Sequence, residues 1–192
     1  MYTTNELEEG SLHDFKRLSS EPNYWLMKAK SLHASAAAVW HCTQVRDSEE
    51  VAREVGGDPN FGCGAWQVYR MLCGMALELA FKTILVVRQE KVDATHDLVR
   101  LAEKADVTYS DKQKKLLALL TECVVWEGKY PVPRNHQDID RFVFWHYETL
   151  YTKKRMGENS WIMQPIKPDP LDWDQYNELW GSAMAAYEWF KS

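Results

Sequence analysis

The stretch Met71 to Val87, MLCGMALELAFKTILVV, constrains this chain more than any other. Apolar residues occupy nearly every face of it, so a helix here must be buried on most sides. The run is too long for a strand and is rich in Ala, Met, Leu and Glu, which favour helix. A buried central helix needs other helices around it, and the rest of the chain supplies them. The spacing predicts the central helix over about Gly64 to Arg88. It also carries Glu78 and Lys82 at i and i+4 with the acid first, the favourable order for a helical ion pair. On so apolar a helix, desolvation exceeds the ~0.3–0.5 kcal/mol that such a pair is worth in water. The pair therefore sits at the bundle rim, or orders a polar network inside, or faces a ligand.

Upstream, Pro22 suits a first helical turn. The run YWLMKAKSLHASAAAVWHC has Trp25, Leu26, Ala29, Leu32, Ala36, Ala37 and Trp40 at helical spacing, with alanines that admit a close neighbour. A weaker helix is expected over Asn5 to Leu18, interrupted at Gly10. Residues 43–60 are polar, end in Gly-Gly-Asp-Pro-Asn, and read as an insertion with a short helix at Ser48 to Val55. Downstream, Thr95 is the expected cap of a short helix reaching Ala105. Ser110 with Gln113 forms a capping-box pattern for a helix ending near Trp126. GKYPVPRNHQ breaks that helix. Asp138 or Asp140 is expected to cap a helix through RFVFWHYETLYTKK. MGENSWIMQPIKPDP, with three prolines, reads as a surface loop. A last helix covers about Asp172 to Phe190. The expectation is an all-α, antiparallel up-and-down bundle of five to six main helices and no strand, in one domain over 1–192. Its core spans about 21–151, followed by the C-terminal helix at 171–190.

Composition narrows the function classes. Net charge is −5, and no basic block reaches five residues. Long DNA is excluded as a partner, because such proteins show a basic stripe. The short clusters Lys112, Lys114, Lys115 and Lys153, Lys154, Arg155 leave room for a local RNA contact. Nine Trp and nine Tyr serve packing, or stacking on bases. The polar, acidic start MYTTNELEEG is not a signal peptide, and no apolar run reaches membrane-spanning length. Cys42, Cys63, Cys73 and Cys123 form no CxxC and no metal-ligand spacing. They read as reduced, mostly buried thiols of a cytoplasmic protein, with no metal and no cofactor.

The helix CGMALELAFKTILV, the short loop, THDLVRLAEKA and then a helix ending WEGKYPVP together resemble a prokaryotic, stand-alone HEPN-type domain. YWLMKAKSLHASAAAVW resembles its first helix, and the likeness covers roughly Tyr24 to Leu150. The resemblance implies an all-α bundle, commonly a homodimer. It implies one of two activities. One is a metal-independent endoribonuclease with an Arg and a His four to six residues apart and a site built across the dimer. The other is a non-catalytic domain that binds RNA, nucleotide or a partner protein in a defence or stress module. Arg141-Phe-Val-Phe-Trp-His146 matches the Arg–His pattern with four residues between. There His146 would move the 2′-hydroxyl or leaving-group proton, and Arg141 would stabilise phosphate charge. On a regular helix the two stand about 140° apart, so they meet on one phosphate only with a partner chain's help.

Other candidate ligand contacts are Glu78, Lys82, His96, Trp126, Lys129, Tyr130 and Arg134. His96 is expected to bond a free backbone group near the turn, Glu78 or Tyr130. Trp126, Tyr130, Lys129 and Arg134 offer rings and charge on a proline-stiffened backbone, or simply close the bundle end. Three readings stay open: a binding domain, a ribonuclease using Arg141 and His146, and a structural adaptor or antitoxin-like bundle.

Overall fold

The computed structural model describes residues 4–45, 50, 53, 54, 56, 61–157 and 160–192. The expected helix Ser48 to Val55 and most of the 43–60 insertion lie outside the described residues. Seven α-helices appear among the described residues, in a mostly helical bundle. They are α1 (Thr4–Ser20), α2 (Pro22–Val45), α3 (Phe61–Val87), α4 (Leu98–Lys104), α5 (Asp111–Glu122), α6 (His136–Leu150) and α7 (Trp173–Lys191). A π-helical turn (Cys123–Glu127) extends α5, and a two-stranded ribbon, β1 (Tyr151–Arg155) and β2 (Trp161–Pro165), follows α6. No described helix is long and apolar enough to cross a membrane.

The apolar run forms the centre, as expected. Leu77, Ala80, Phe81, Ile84 and Leu85 of α3 are fully buried. α2 lies along α3 and brings Ala29 and Ala36, both fully buried, against it. α7 covers another side with Tyr176, Leu179 and Ala183, and Leu179 accepts at its carbonyl from the buried Tyr109 hydroxyl at 2.7 Å. α3 ends where Gln89 adopts a left-handed φ of 56°, and the Glu90 amide closes back on the Leu85 carbonyl at 2.8 Å. α6 packs on α5, so it stands one layer out from α3.

Several expected boundaries move, each for a local reason. α4 is capped by Asp97, whose side chain accepts from the Arg100 amide, while Thr95 accepts one step earlier from the Asp97 amide. Neither Asp138 nor Asp140 caps α6. Asn135 does so, because Asp138 is buried as a partner of Arg141. The Ser110–Gln113 capping box forms as expected. α1 runs through Gly10 without a break. The largest departure is the ribbon: α6 stops at Leu150, Tyr151 turns extended, and Lys153 pairs with Met163 where the sequence suggests helix and loop. Ladder hydrogen bonds hold β1 and β2 while almost all their side chains stay exposed, so no apolar alternation marks them.

α2 and α7 meet at His33. Its ring stacks on Trp180 at 4.4 Å and its Nδ1 lies 3.1 Å from the Tyr176 hydroxyl. Burial pushes the His33 imidazole below its ordinary value. A histidine that resists protonation only when folded contributes stability at neutral pH. That contribution is lost progressively as pH falls below the unfolded value of about 6.5. Chemical denaturation should therefore show stability falling from pH 7 to 5, with a smaller fall in His33→Phe; equal falls in both would contradict this.

Gly74 tests the core packing. A Cβ there would meet Val124 Cγ2 at 2.5 Å and the Leu120 carbonyl at 3.0 Å, so α3 approaches the end of α5 too closely for any side chain. Gly181, inside α7, would meet nothing within 4 Å. Gly74→Ala should cost about 1–3 kcal/mol, and Gly181→Ala should gain about 0.5–1 kcal/mol, both read by urea denaturation.

Candidate functional site

The site is built from the acid on the central helix outward. Lys82 Nζ donates to Glu78 Oε1 at 2.7 Å, and His96 Nδ1 lies 2.9 Å from Glu78 Oε2. Glu78 and Lys82 are both only 7% exposed, while the His96 side chain is 53% exposed. An ionised carboxylate only accepts, so Nδ1 carries the proton on the bond to Glu78. Nε2 is then left without a bonded partner among the described residues. The turn after α3 is short, and this brings the start of α4 beside Glu78. Of the expected partners for His96, the structure selects Glu78.

The chain of three side chains joins two depressions. Lys82 lines one of about 820 Å³, with Trp25, Ser19, Glu90 and Asp93. His96 lines the other, a cleft of about 640 Å³ between the start of α4, α5 and α6. Into that cleft also come Lys114, Lys115, Arg134, Arg141 and Trp145. Its lining holds four Lys and Arg side chains against two acids, Asp97 and Glu122.

Most of these cations have partners. Lys114 pairs with Glu103 at 3.0 Å and Lys115 with Glu148 at 2.9 Å, all four side chains well exposed. Such exposed pairs are worth ~0–1 kcal/mol and exchange readily for a phosphate. Arg141 is held more firmly. Its Nε donates to Glu122 at 3.0 Å and a terminal nitrogen to Asp138, and both carboxylates are buried. The Glu122 carboxylate raises the guanidinium pKa further, so Arg141 stays charged. Arg134 is exposed and makes no ion pair among the described residues.

Arg141 and His146 do not share this site. The His146 ring packs among Phe142, Tyr147 and Tyr151 at 5.4–5.7 Å, with Nδ1 buried and unbonded. Burial pushes its pKa down, the Arg70 charge adds to that, and Asp169 opposes it. It belongs to a second polar centre where Arg70 pairs with Asp169 at 3.6 Å and where burial raises the Glu127 pKa. The remaining candidates divide as well. Trp126 turns inward against Phe142 and is 8% exposed. Lys129 and Tyr130 are exposed but do not line the cleft, and only Arg134 of that segment reaches it. Lys114 and Lys115, from one of the short basic clusters that leave room for an RNA contact, line the cleft, and so does Trp145, which no sequence signal marks.

Comparison with family models, with curated proteins and with solved structures returned no match.

Glu78 is the shared acceptor, so its loss leaves the Lys82 ammonium buried without that partner. Glu78→Ala should cost about 3–5 kcal/mol in urea denaturation, and the double variant E78L/K82M should cost far less than the two single changes summed. A cost below about 1 kcal/mol for Glu78→Ala would remove the pair from this structural role.

Proposed function

We propose that this chain is a HEPN-like helical domain that binds a phosphate-bearing ligand, a nucleotide or RNA, through the cleft at His96. The observation that carries the reading is the convergence of Arg134, Arg141, Lys114, Lys115 and His96 on one cleft, in a chain of net charge −5. Arg134 supplies charge without a competing acid. The two lysines exchange weak surface pairs for phosphate. His96, oriented by Glu78, presents its free nitrogen, and Trp145 gives a ring for a base. The likeness of THDLVRLAEKA and the central helix to HEPN-type domains agrees with a cytoplasmic defence or stress module as the setting. A homodimer is part of this reading. Ile139, Val143 and Tyr147 recur every four residues on α6 and are 45%, 43% and 45% exposed, an apolar stripe that a second copy would cover.

A second reading, the metal-independent endoribonuclease using Arg141 and His146, draws support from the buried, unbonded Nδ1 of His146. Within one chain these two side chains have separate surroundings, so this reading requires the second copy to complete the site.

Calorimetric titration with AMP tests the first reading. Wild type should bind, and Arg134→Gln should weaken binding by about three- to tenfold, the loss of one charge-assisted contact at an exposed site. No binding, or an unchanged constant in Arg134→Gln, would overturn the cleft as the site. RNA cleavage in EDTA, lost in both Arg141→Ala and His146→Ala, would instead establish the second reading.

A further inference from the structure

The β1–β2 ribbon is exposed on both faces. Register places Lys153, Arg155, Trp161 and Met163 on one face and Lys154 and Ile162 on the other. An isolated two-stranded hairpin is marginal in water unless an apolar face packs on something. Here only Tyr151 and Met163 are even half-buried, and Trp161 and Ile162 are 61% and 51% exposed. The ribbon's two strands hold Lys153, Lys154 and Arg155 and no acid, with Glu158 between them in the sequence. Lys153 and Lys154 make no ion pair among the described residues. Arg155 donates to the Gly157 carbonyl at 2.9 Å and lies 5.9 Å from the Trp161 ring centre. An exposed indole is thus set beside cations in an otherwise acidic protein.

From this charge complementarity we infer that the ribbon is a docking surface for single-stranded nucleic acid. Lys153 and Lys154 take phosphates, and a base stacks on Trp161. A bilayer fits less well, because cations and apolar side chains share both faces and no face is apolar alone. An acidic peptide would use the cations and leave the indole idle. Position supports the same ligand. Lys115 lines the His96 cleft and also a smaller depression at the foot of the ribbon, which Ile166 borders and which Lys112, Asp111 and Glu148 share, so this one lysine joins the two depressions. The inference extends the cleft reading from one nucleotide to a strand and rests on it for the ligand's chemical class.

The test uses the full chain, a labelled oligouridylate of about 12 nucleotides, long enough for a typical single-strand site, and fluorescence anisotropy. The variants are the double change K153Q/K154Q, Trp161→Ala and Arg134→Gln, with AMP titrated in parallel. Because Lys153, Lys154 and Trp161 are exposed, and Tyr151 is what ties the ribbon to the core, these variants should unfold at the wild-type temperature. The double variant should weaken oligonucleotide binding about tenfold or more and reduce the salt slope by about 1.4, two phosphates' worth. Trp161→Ala should weaken it about five- to hundredfold. AMP binding should not change in either. Oligonucleotide binding unchanged in both ribbon variants, or absent in wild type, overturns the proposal. So does binding to phosphatidylserine vesicles that the ribbon variants lose while the oligonucleotide never binds. If Arg134→Gln leaves AMP binding unchanged while the ribbon variants still weaken the oligonucleotide, the cleft reading fails and the ribbon stands.

Discussion

The Glu78 carboxylate is the fixed point on which the site depends. It sits on the most apolar helix of the chain, where leaving water costs several kcal/mol per ion. Two cationic or polar partners offset that cost, Lys82 from its own helix and His96 from the start of α4. One oxygen serves each. The pair thereby ties α3 to the following element and turns the imidazole in a defined direction. Without the His96 contact, the start of α4 would be placed by its Asp97 cap and by Leu98 and Leu101 in the core.

From that tie the cleft follows. α4 and α5 are joined by a short link, and α5 carries Lys114 and Lys115 on the side facing His96. α6 packs on α5 and contributes Arg141, held by Glu122 and Asp138. Arg141 is therefore a braced side chain: two buried carboxylates fix its position and already neutralise its charge. The cleft's net attraction for an anion comes from Arg134 and from the exchangeable lysines. This division of labour makes Arg134 informative to mutate, since its loss removes charge and leaves the packing alone.

The helical architecture is legible in the sequence because its signals are local and strong. The apolar run of α3 leaves no alternative to burial, and the Ser110–Gln113 box and Pro22 mark their helix starts unambiguously. Two of the failures are side chains that another side chain recruits. Asp138 looks like a cap until Arg141 claims it, and Asn135 then caps α6. Trp126 looks like a stacking surface until Phe142 covers it. The ribbon has no amphipathic pattern to read, because neither of its faces is buried. Of the site, the Glu78–Lys82 pair and His96 are visible as an acid, a base and an imidazole near one turn. Their meeting with Arg134 and Arg141 is not visible, since it depends on how α6 returns across α5.

On the proposed reading, the ligand side of this domain is the His96 cleft and not the aromatic surroundings of His146. Backbone amide shifts in a 15N-labelled sample titrated with AMP test it directly. Signals of Thr95, His96, Lys115, Arg134 and Arg141 should move, with those of Arg70, His146 and Asp169 still. Movement confined to Arg70, His146 and Asp169, with the cleft unchanged, would contradict it.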